Sequence, residues 1–223
     1  MIEVGLGGDM TAAAEAEEWA EAYKEGKKMT TSCCPAFVNM IKQHFPQLLD
    51  NMSTTVSPMC AVSRMLKAQD PEVVTVFIGP CIAKKSETLD LNIQGNADYA
   101  MTYGEIRAMM RAKDVNLEPE ENSMQEASVF GKRFGNGGGV TAAVLECLKE
   151  SGENTDIKVA RCNGAAECKK PSSSESGTSA GGLHRGYGVR RRLCRRTEQA
   201  QSRAGGEEVE RQTHRRGRCK RST

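Results

Sequence analysis

The apolar positions of the first 70 residues recur mainly at the spacing of an α-helix. The stretch from Met10 to Gly26 is rich in strong helix formers and ends on glycine, which predicts a first helix. Apolar residues at helical spacing from 37 to 45 predict a second helix. Ser57 and Pro58 suit the cap and the first turn of a third helix, which runs through Leu66.

The middle of the chain changes to a strand-like pattern. Residues 73–78 form a continuous apolar, β-branched run closed by a Gly-Pro pair, which predicts a strand buried on both faces. Helical patterns return at 103–112 and 141–149, and the residues at 157–161 predict a second short buried strand. Because strands that alternate with helices form parallel sheets, the sequence predicts an α/β fold with a parallel-sheet lobe.

The composition changes sharply near residue 171. Residues 1–170 contain 13 Lys and 5 Arg, whereas residues 171–223 contain 1 Lys and 12 Arg among Ser and Gly, with few apolar residues. We therefore expect a globular domain over 1–170 and a disordered tail over 171–223, since the tail's apolar content cannot offset the entropy of ordering. A basic-tailed nucleic-acid binder is an alternative, but Tyr187 is the tail's single aromatic residue for base stacking, which argues against it.

The nine cysteines are many for a chain of 223 residues, and their odd number and uneven spacing fit no disulfide framework. Metal ligation or thiol chemistry is the better interpretation. No apolar run approaches the ~18–20 residues of a membrane span, and the first residues do not resemble a signal peptide. We therefore expect a cytoplasmic protein without membrane contact.

The first candidate motif is the adjacent cysteine pair of Thr31-Ser32-Cys33-Cys34-Pro35. A loop that leads into a helix favours thiolate, because the helix dipole stabilises negative charge at its start. One thiol could bind metal while its neighbour stays unligated. The alternative is a pair of buried cysteines without ligand, which is common.

The second candidate motif reads Gly79-Pro80-Cys81 and continues to Lys84 and Glu87, just past the predicted strand. Active sites of α/β sheets lie at this end of the strands. If the segment is helical, Lys84 and Glu87 share a face and can pair with each other or point at an anionic ligand. An exposed Lys-Glu pair is the alternative.

Together, Thr-Ser-Cys-Cys-Pro and Pro-Cys-x-x-Lys-x-x-Glu resemble the first two signature motifs of the iron-only (diiron) hydrogenases, in their C-terminal catalytic domain. Cys34 and Cys81 lie 47 positions apart. The residues at 45–53 and 98–105 also resemble the family, and the resemblance covers roughly 8–170.

The resemblance implies the cofactor called the H-cluster, a 4Fe-4S cubane bridged by a cysteine sulfur to a diiron unit with carbon monoxide, cyanide and dithiolate ligands. Cys34 and Cys81 match two of the four cubane ligands. Cys33 matches the unligated thiol that passes protons to the diiron unit. We expect Cys34 and Cys81 to lie at one pocket, since both must reach the same cluster.

The resemblance also implies roles for polar residues around the cluster. Lys84 matches the lysine that donates a hydrogen bond to an iron-bound cyanide, and Glu87 is expected to hold nearby structure. The remaining positions that match the cluster's surroundings are Ser57 and Pro80. The residues that match the proton path are Glu18, Ser53, Glu15 and Cys33, in that order from the solvent inward.

A third pattern is the glycine run Gly137-Gly138-Gly139 before a helix. It could suggest a phosphate cradle, but it lacks the Lys-Ser/Thr ending of a P-loop. It resembles the family's Gly-rich turn beside the diiron cyanides, where Gly137 and Gly138 would let the backbone approach the cofactor closely.

Two positions depart from the family pattern and favour an alternative function. Gly79 stands where the family has methionine, and Met59 stands where it has glutamine. These changes resemble the sensory branch of the family, so a hydrogen-sensing or redox-regulatory module is an alternative to an enzyme of anaerobic hydrogen metabolism. For the enzyme, the resemblance implies protons and hydrogen as substrates and ferredoxin or a fused iron-sulfur domain as electron partner.

The family's third motif, Met-Ala-Cys-x-Gly-Gly-Cys, supplies the other two cluster ligands and is absent from the chain as written. Read one base later, residues 183–199 can encode Phe-Ile-Glu-Gly-Met-Ala-Cys-Glu-Gly-Gly-Cys-Val-Gly-Gly-Pro-Ser-Lys, which contains the motif. We therefore expect a one-base frameshift near Lys170. The chain also begins later than the family's catalytic domain does, so we expect a partial hydrogenase domain with little activity of its own.

Overall fold

A computed structural model describes residues 1–116, 126–156, 159–163 and 183–187. Its helices are α1 (Gly5–Lys24), α2 (Pro35–His44), α3 (Pro58–Gln69), α4 (Ala83–Thr88), α5 (Tyr103–Ala112), α6 (Val129–Lys132) and α7 (Gly139–Glu150), with a 3-10 helix at Pro46–Asn51. Its strands are β1 (Met29–Thr30), β2 (Val76–Ile78), β3 (Tyr99–Met101), β4 (Ala160–Asn163) and β5 (Leu183–Tyr187). Within these ranges no helix is long and apolar enough to cross a membrane.

The strands form two small parallel sheets, which confirms the predicted α/β class. In the first sheet β5 lies between β1 and β4, with Thr30 and Ala160 both opposite His184. In the second sheet β2 pairs with β3 and places Val76 opposite Tyr99. The carboxyl end of β1 leads directly into the double-cysteine loop, so the first sheet positions that motif.

The main apolar core lies between α1 and α7. The buried cluster there includes Ala12, Ala16 and Trp19 of α1 and Val140, Val144 and Leu148 of α7. These residues recur at helical spacing on each element, so each helix buries one continuous stripe. The largest of them, Trp19, is only 3% exposed.

The predicted first helix is confirmed, but it begins at Gly5 and not at Met10. The low helix propensity of glycine predicts that Gly7 lies outside the helix. Packing against another segment requires glycine at this position inside it. A Cβ atom on Gly7 would lie 2.2 Å from the carbonyl oxygen of Pro58, so glycine allows α1 to approach the start of α3 closely.

The other predicted helices are confirmed within a few residues. α3 begins as the Ser-Pro pair predicts, because the Ser57 side chain accepts a hydrogen bond from the Cys60 amide. α5 begins with a capping box in which Thr102 and Glu105 satisfy each other's backbone amides.

The prediction of a strand at 73–78 buried on both faces is wrong in length and in burial. β2 has only three residues, and the exposed fractions of Val76 and Ile78 are 48% and 40%. Among the described residues β2 pairs with β3 alone, and Val76 and Ile78, which point to the same face of the strand, are both exposed. The predicted second strand is also displaced, because β4 occupies 160–163, while residues 157–158 lie outside the described ranges.

The structure describes one stretch of the predicted tail, residues 183–187. These residues form β5, whose backbone pairs with both β1 and β4. Strand pairing uses backbone amide and carbonyl groups, which even a polar sequence provides. The remaining residues, 171–182 and 188–223, lie outside the described part of the chain, and the disorder predicted for them stays a prediction.

Asp98 ties α3 to both strands of the second sheet. Its carboxylate accepts hydrogen bonds from the Lys67 ammonium at 2.8 Å, from the Thr75 amide at 2.7 Å and from the Thr75 hydroxyl at 2.9 Å. The Lys67 hydrogen bond, followed by the Thr75 amide, lowers the pKa of Asp98 to about 2. These bonds favour the charged form, so they link stability to pH.

We expect Asp98→Asn to lower the free energy of unfolding by about 1 kcal/mol near neutral pH, a discounted value because the side chain is partly exposed. The depressed pKa means that the contribution is complete above the unfolded value of roughly 4 and is lost as the pH falls through about 2. Urea unfolding at pH 6 and at pH 3 checks both points. Asp50→Asn, at an exposed carboxylate, is the control, and an equal loss in both variants would contradict the assignment.

Candidate active site

The double-cysteine loop connects the end of β1 to the start of α2. Cys34 is the N-cap of α2 with an extended backbone, and Pro35 occupies the first helical position. Both thiols are buried, each at 6% exposure. Cys33 packs in the cluster between α1 and α7, whereas Cys34 packs with Phe37 and its neighbours on α2. The two adjacent thiols therefore face different surroundings, which allows them different roles.

Helices α2 and α4 run side by side in the same direction. The Asn39 amide donates to the Ser86 hydroxyl at 3.1 Å, and the Lys42 ammonium contacts the Asp90 carboxylate at 3.2 Å. The two partners are 47 positions apart in the first contact and 48 positions apart in the second. A later residue of α2 thus contacts a later residue of the other segment, so the two segments run in the same direction.

The same register extends back to the starts of the two helices. Cys34 immediately precedes α2, Cys81 lies two residues before α4, and they are 47 positions apart. The parallel pairing therefore directs both cysteines to one end of the helix pair. Cys34 is buried and Cys81 is partly exposed, so this end is reachable from outside the core.

In the described ranges, no group of three or more His, Cys, Asp or Glu side chains is arranged to hold a metal ion. The two cysteines at the start of α2 and α4 therefore provide half of the thiolates that a four-cysteine cluster needs. As a donor set they fit two of the cluster's positions. The structure does not describe the side chains of four further cysteines, which are Cys162, Cys168, Cys194 and Cys219.

Lys84 and Glu87 form a buried ion pair on α4. The Lys84 ammonium donates to one carboxylate oxygen of Glu87 at 2.7 Å, and the Ser57 hydroxyl donates to the other at 2.5 Å. Lys84 and Glu87 are 8% and 7% exposed, so the predicted shared helical face is confirmed and the exposed-pair alternative is wrong. Pro80, by contrast, lies exposed at the turn between β2 and α4.

We expect Ser57→Ala to lower the free energy of unfolding by about 2 kcal/mol. The substitution removes the N-cap of α3 and leaves one oxygen of the buried Glu87 carboxylate without its donor. Chemical denaturation of the variant and the wild type measures the difference. Ser151→Ala at the end of α7 is the control at an exposed serine whose hydroxyl bonds only locally, and a Ser57→Ala variant as stable as this control would contradict the role.

The structure brings two of the predicted proton-path residues into direct contact. The Ser53 hydroxyl donates to the Glu18 carboxylate at 2.6 Å, and the Thr54 amide donates to the same carboxylate at 2.8 Å. Glu15 lies one helical turn earlier on α1 and is 0% exposed, so it is not the ordinary solvated charge that its sequence context suggests. Glu18 is partly exposed and borders a groove between α1 and α3.

The glycine run closes the turn before α7. Gly138 is the N-cap of α7 and has a φ of +91°, a conformation that glycine adopts at little cost. A Cβ atom on Gly139 would lie 1.9 Å from the carbonyl oxygen of Arg133. The positive φ thus accounts for Gly138, and the close approach of backbone to backbone accounts for Gly139. Gly137 is exposed, and nothing in the structure explains it.

The two departures from the family pattern are both buried. Met59 is 3% exposed in the first turn of α3, and beside it burial raises the pKa of the Cys60 thiol. A Cβ atom on Gly79 would lie 2.6 Å from the ring of Phe77, so this ring occupies the space that a larger side chain would need. The absence of a side chain at Gly79 therefore leaves room for the Phe77 ring.

One polar contact at the site has no counterpart in the sequence analysis. The Thr55 hydroxyl lies 2.8 Å from the Ser53 hydroxyl, and its carbonyl accepts a hydrogen bond from Ser32. The loop that carries Ser53 and Thr55 lines a cavity of about 200 Å³, which Ser57 and Glu87 also border. In the sequence, the run Ser53-Thr54-Thr55 indicates a cluster of hydroxyl groups, but it does not show which groups these hydroxyls hydrogen-bond.

Comparisons with known proteins agree on one family. The family model for the C-terminal domain of the iron only hydrogenase large subunit matches residues 1–202. Iron hydrogenase 1 of Clostridium pasteurianum is 29% identical over 177 residues, which cover 71% of this chain and 31% of that protein. The periplasmic iron hydrogenase large subunit of Nitratidesulfovibrio vulgaris is 29% identical over 164 residues, covering 64% of this chain and 39% of that protein.

A solved structure gives the same result for the fold. An apo FeFe-hydrogenase of Chlamydomonas reinhardtii superposes with a TM-score of 0.52 at 25% identity, covering 66% of this chain and 43% of that one. The match with the two curated relatives thus spans between 31% and 39% of their own length.

Proposed function

Because the chain belongs to the family of C-terminal domains of iron-only hydrogenases, we propose that it carries part of the catalytic site at which protons and electrons are reversibly converted to molecular hydrogen. The observation that carries the proposal is the parallel pairing of α2 and α4, whose register directs Cys34 and Cys81 to one end. The site is thus assembled from the same two segments that carry the signature motifs.

The cofactor of the proposed function is the H-cluster, for which Cys34 and Cys81 would supply two cubane ligands. When bound, this group supplies the redox chemistry of hydrogen formation and oxidation. Lys84 would offer its ammonium to a cyanide ligand, and Glu87, fixed by Ser57, would hold that ammonium in place. Pro80 and the turn at Gly137 and Gly138 would complete the surroundings.

The chain's own part in the reaction is to move protons. Glu18 borders a surface groove, and the hydrogen bond from Ser53 fixes its carboxylate. Glu15 is buried on the same helix, and Cys33 packs against that helix in the α1–α7 cluster. We place the path in the order Glu18, Ser53, Glu15 and Cys33, with the thiol as the innermost acid.

We also propose ferredoxin or a fused iron-sulfur domain as the electron partner, and an anaerobic, cytoplasmic setting. The nine cysteines, whose number and spacing fit no disulfide framework, support a reducing compartment. One relative is a periplasmic protein, so fractionation of cells is the measurement that decides the compartment.

We propose further that a one-base frameshift near Lys170 has replaced the third motif. β5 is the middle strand of a parallel sheet, a place that favours continuous apolar residues, yet it reads Leu-His-Arg-Gly-Tyr. The shifted frame reads Phe-Ile-Glu-Gly-Met over the same positions and places a cysteine two residues beyond the strand. Since β1 and β5 are parallel neighbours, their carboxyl ends share one edge, and the Cys33-Cys34 loop leaves β1 at that edge.

Neither alternative function gains support from the comparisons or the structure, so the hydrogenase proposal is the one to test. The test is hydrogen evolution with a reduced viologen after cluster maturation, together with the iron content of the same sample. Iron that binds through Cys34 and Cys81 without any hydrogen turnover in a complete domain would favour a sensory module over an enzyme.

A further inference from the structure

The Ser53 hydroxyl is the meeting point of three hydrogen bonds. It donates to Glu18 at 2.6 Å, accepts from the Thr55 amide at 3.1 Å and lies 2.8 Å from the Thr55 hydroxyl. A serine hydroxyl has one proton to donate and two lone pairs to accept with. Because its only proton goes to the carboxylate, Thr55 must be the donor in the contact between the two hydroxyls.

Thr55 is itself held by a residue of the double-cysteine loop. The Ser32 hydroxyl donates to the Thr55 carbonyl at 2.5 Å and lies 3.5 Å from its hydroxyl. Ser32 immediately precedes Cys33 in the chain. Ser32, Thr55, Ser53 and Glu18 therefore form a continuous series of polar contacts from that loop to α1.

We propose that Thr55 is a positioning residue of the proton path: its amide and its hydroxyl occupy both lone pairs of Ser53 and so point the Ser53 proton at Glu18. Without the Thr55 hydroxyl, one lone pair of Ser53 is open and its proton can turn toward the neighbouring cavity. This role of Thr55 rests on the proposed function, because the direction of the Ser53 proton matters only if Ser53 belongs to a proton path.

The experiment follows the Ser53 hydroxyl proton in the full chain, without any cluster. Its exchange with solvent is measured by NMR, and the carboxylate band of Glu18, assigned with Glu18→Gln, is followed by infrared spectroscopy. In the wild type the hydroxyl should exchange more slowly than a free serine hydroxyl. Thr55→Val, which has nearly the same shape without the donor, should speed the exchange roughly five- to tenfold and shift the Glu18 band.

Two matched variants separate positioning from mere packing. Thr55→Ser restores the hydroxyl and should return both signals to the wild-type values. Thr54→Val removes an exposed hydroxyl next door and should change neither signal, because the Thr54 contact with Glu18 uses the backbone amide.

A Thr55→Val chain with wild-type exchange and an unshifted Glu18 band would overturn the proposal. If Thr55→Val does not fold, the wild-type chain still decides, since a Ser53 hydroxyl that exchanges as fast as a free serine is not held by Thr55. Both readouts are independent of hydrogen chemistry. Failure of hydrogen turnover with the expected spectroscopic changes would therefore defeat the proposed function and leave the role of Thr55 intact.

Discussion

Replacing Cys34 or Cys81 with serine is expected to weaken the binding of ferrous iron to the chain by on the order of 100-fold. The register of α2 and α4 directs these two thiols to one end of the helix pair, and each supplies half of the ligands that the described residues offer there. Loss of an outer-shell partner alone costs roughly 10- to 100-fold in metal affinity, and loss of a ligand should cost at least as much. Anaerobic titration followed by charge-transfer absorbance measures the affinity.

Cys147→Ser is the matched control for the iron titration. Cys147 is partly exposed, as Cys81 is, but it belongs to α7 and packs against the α1–α7 core. We expect this variant to bind iron as the wild type does. Equal loss in all three variants would show that iron binds to thiols indiscriminately, and no loss in Cys81→Ser would defeat the assignment of a shared site.

Local signals in the sequence were sufficient to predict most of the helices. Ser57 satisfies the first amides of α3, and Thr102 with Glu105 does the same for α5, so each start is determined by neighbours within three residues. The spacing of Lys84 and Glu87 likewise predicted a shared face, because α4 is helical there. Short-range chemistry of this kind can be interpreted without knowing the fold.

The failures all depend on contacts between distant segments. Gly7 is helical because α1 crosses close to Pro58, and no propensity scale contains that contact. The burial of β2 depends on which elements cover it, so its apolar run predicted burial that the described residues do not provide. Which alternative holds for Lys84 and Glu87, a buried or an exposed pair, likewise depends on a distant segment, because Ser57 at the start of α3 donates to the Glu87 carboxylate.

The proton-path residues illustrate the same limit within the site. Glu18 and Ser53 could be named together only by resemblance to the family, since 35 positions separate them in the chain. The structure places them in contact and adds Thr55, which no motif identifies. The sequence thus identified the side chains that react, whereas the residues that orient them depend on the folded loop between the 3-10 helix and α3.

Restoring the shifted frame near Lys170 is expected to raise the iron retained after cluster reconstitution from partial occupancy to a complete cubane. The chain as written offers two of the usual four thiolates in its described part, and the missing pair would follow β5 at the sheet edge that carries the Cys33-Cys34 loop. Iron and sulfide analysis of the two chains measures the difference. Equal iron content in both chains would contradict the frameshift and the ligand assignment that depends on it.

Hydrogen turnover is then expected to depend on Cys33 in a way that iron content does not. The test uses the frame-restored chain fused to the portion of an FeFe-hydrogenase that has no counterpart here. Cys33→Ala should suppress hydrogen evolution by on the order of 100-fold or more, within the range that removal of a proton-transfer group costs, if the thiol is the innermost acid of the path as we propose. The iron content should stay unchanged, since Cys33 packs on the α1 side of the loop while Cys34 packs on the α2 side. Loss of iron in Cys33→Ala would make it a ligand, and full turnover without the thiol would remove it from the proton path.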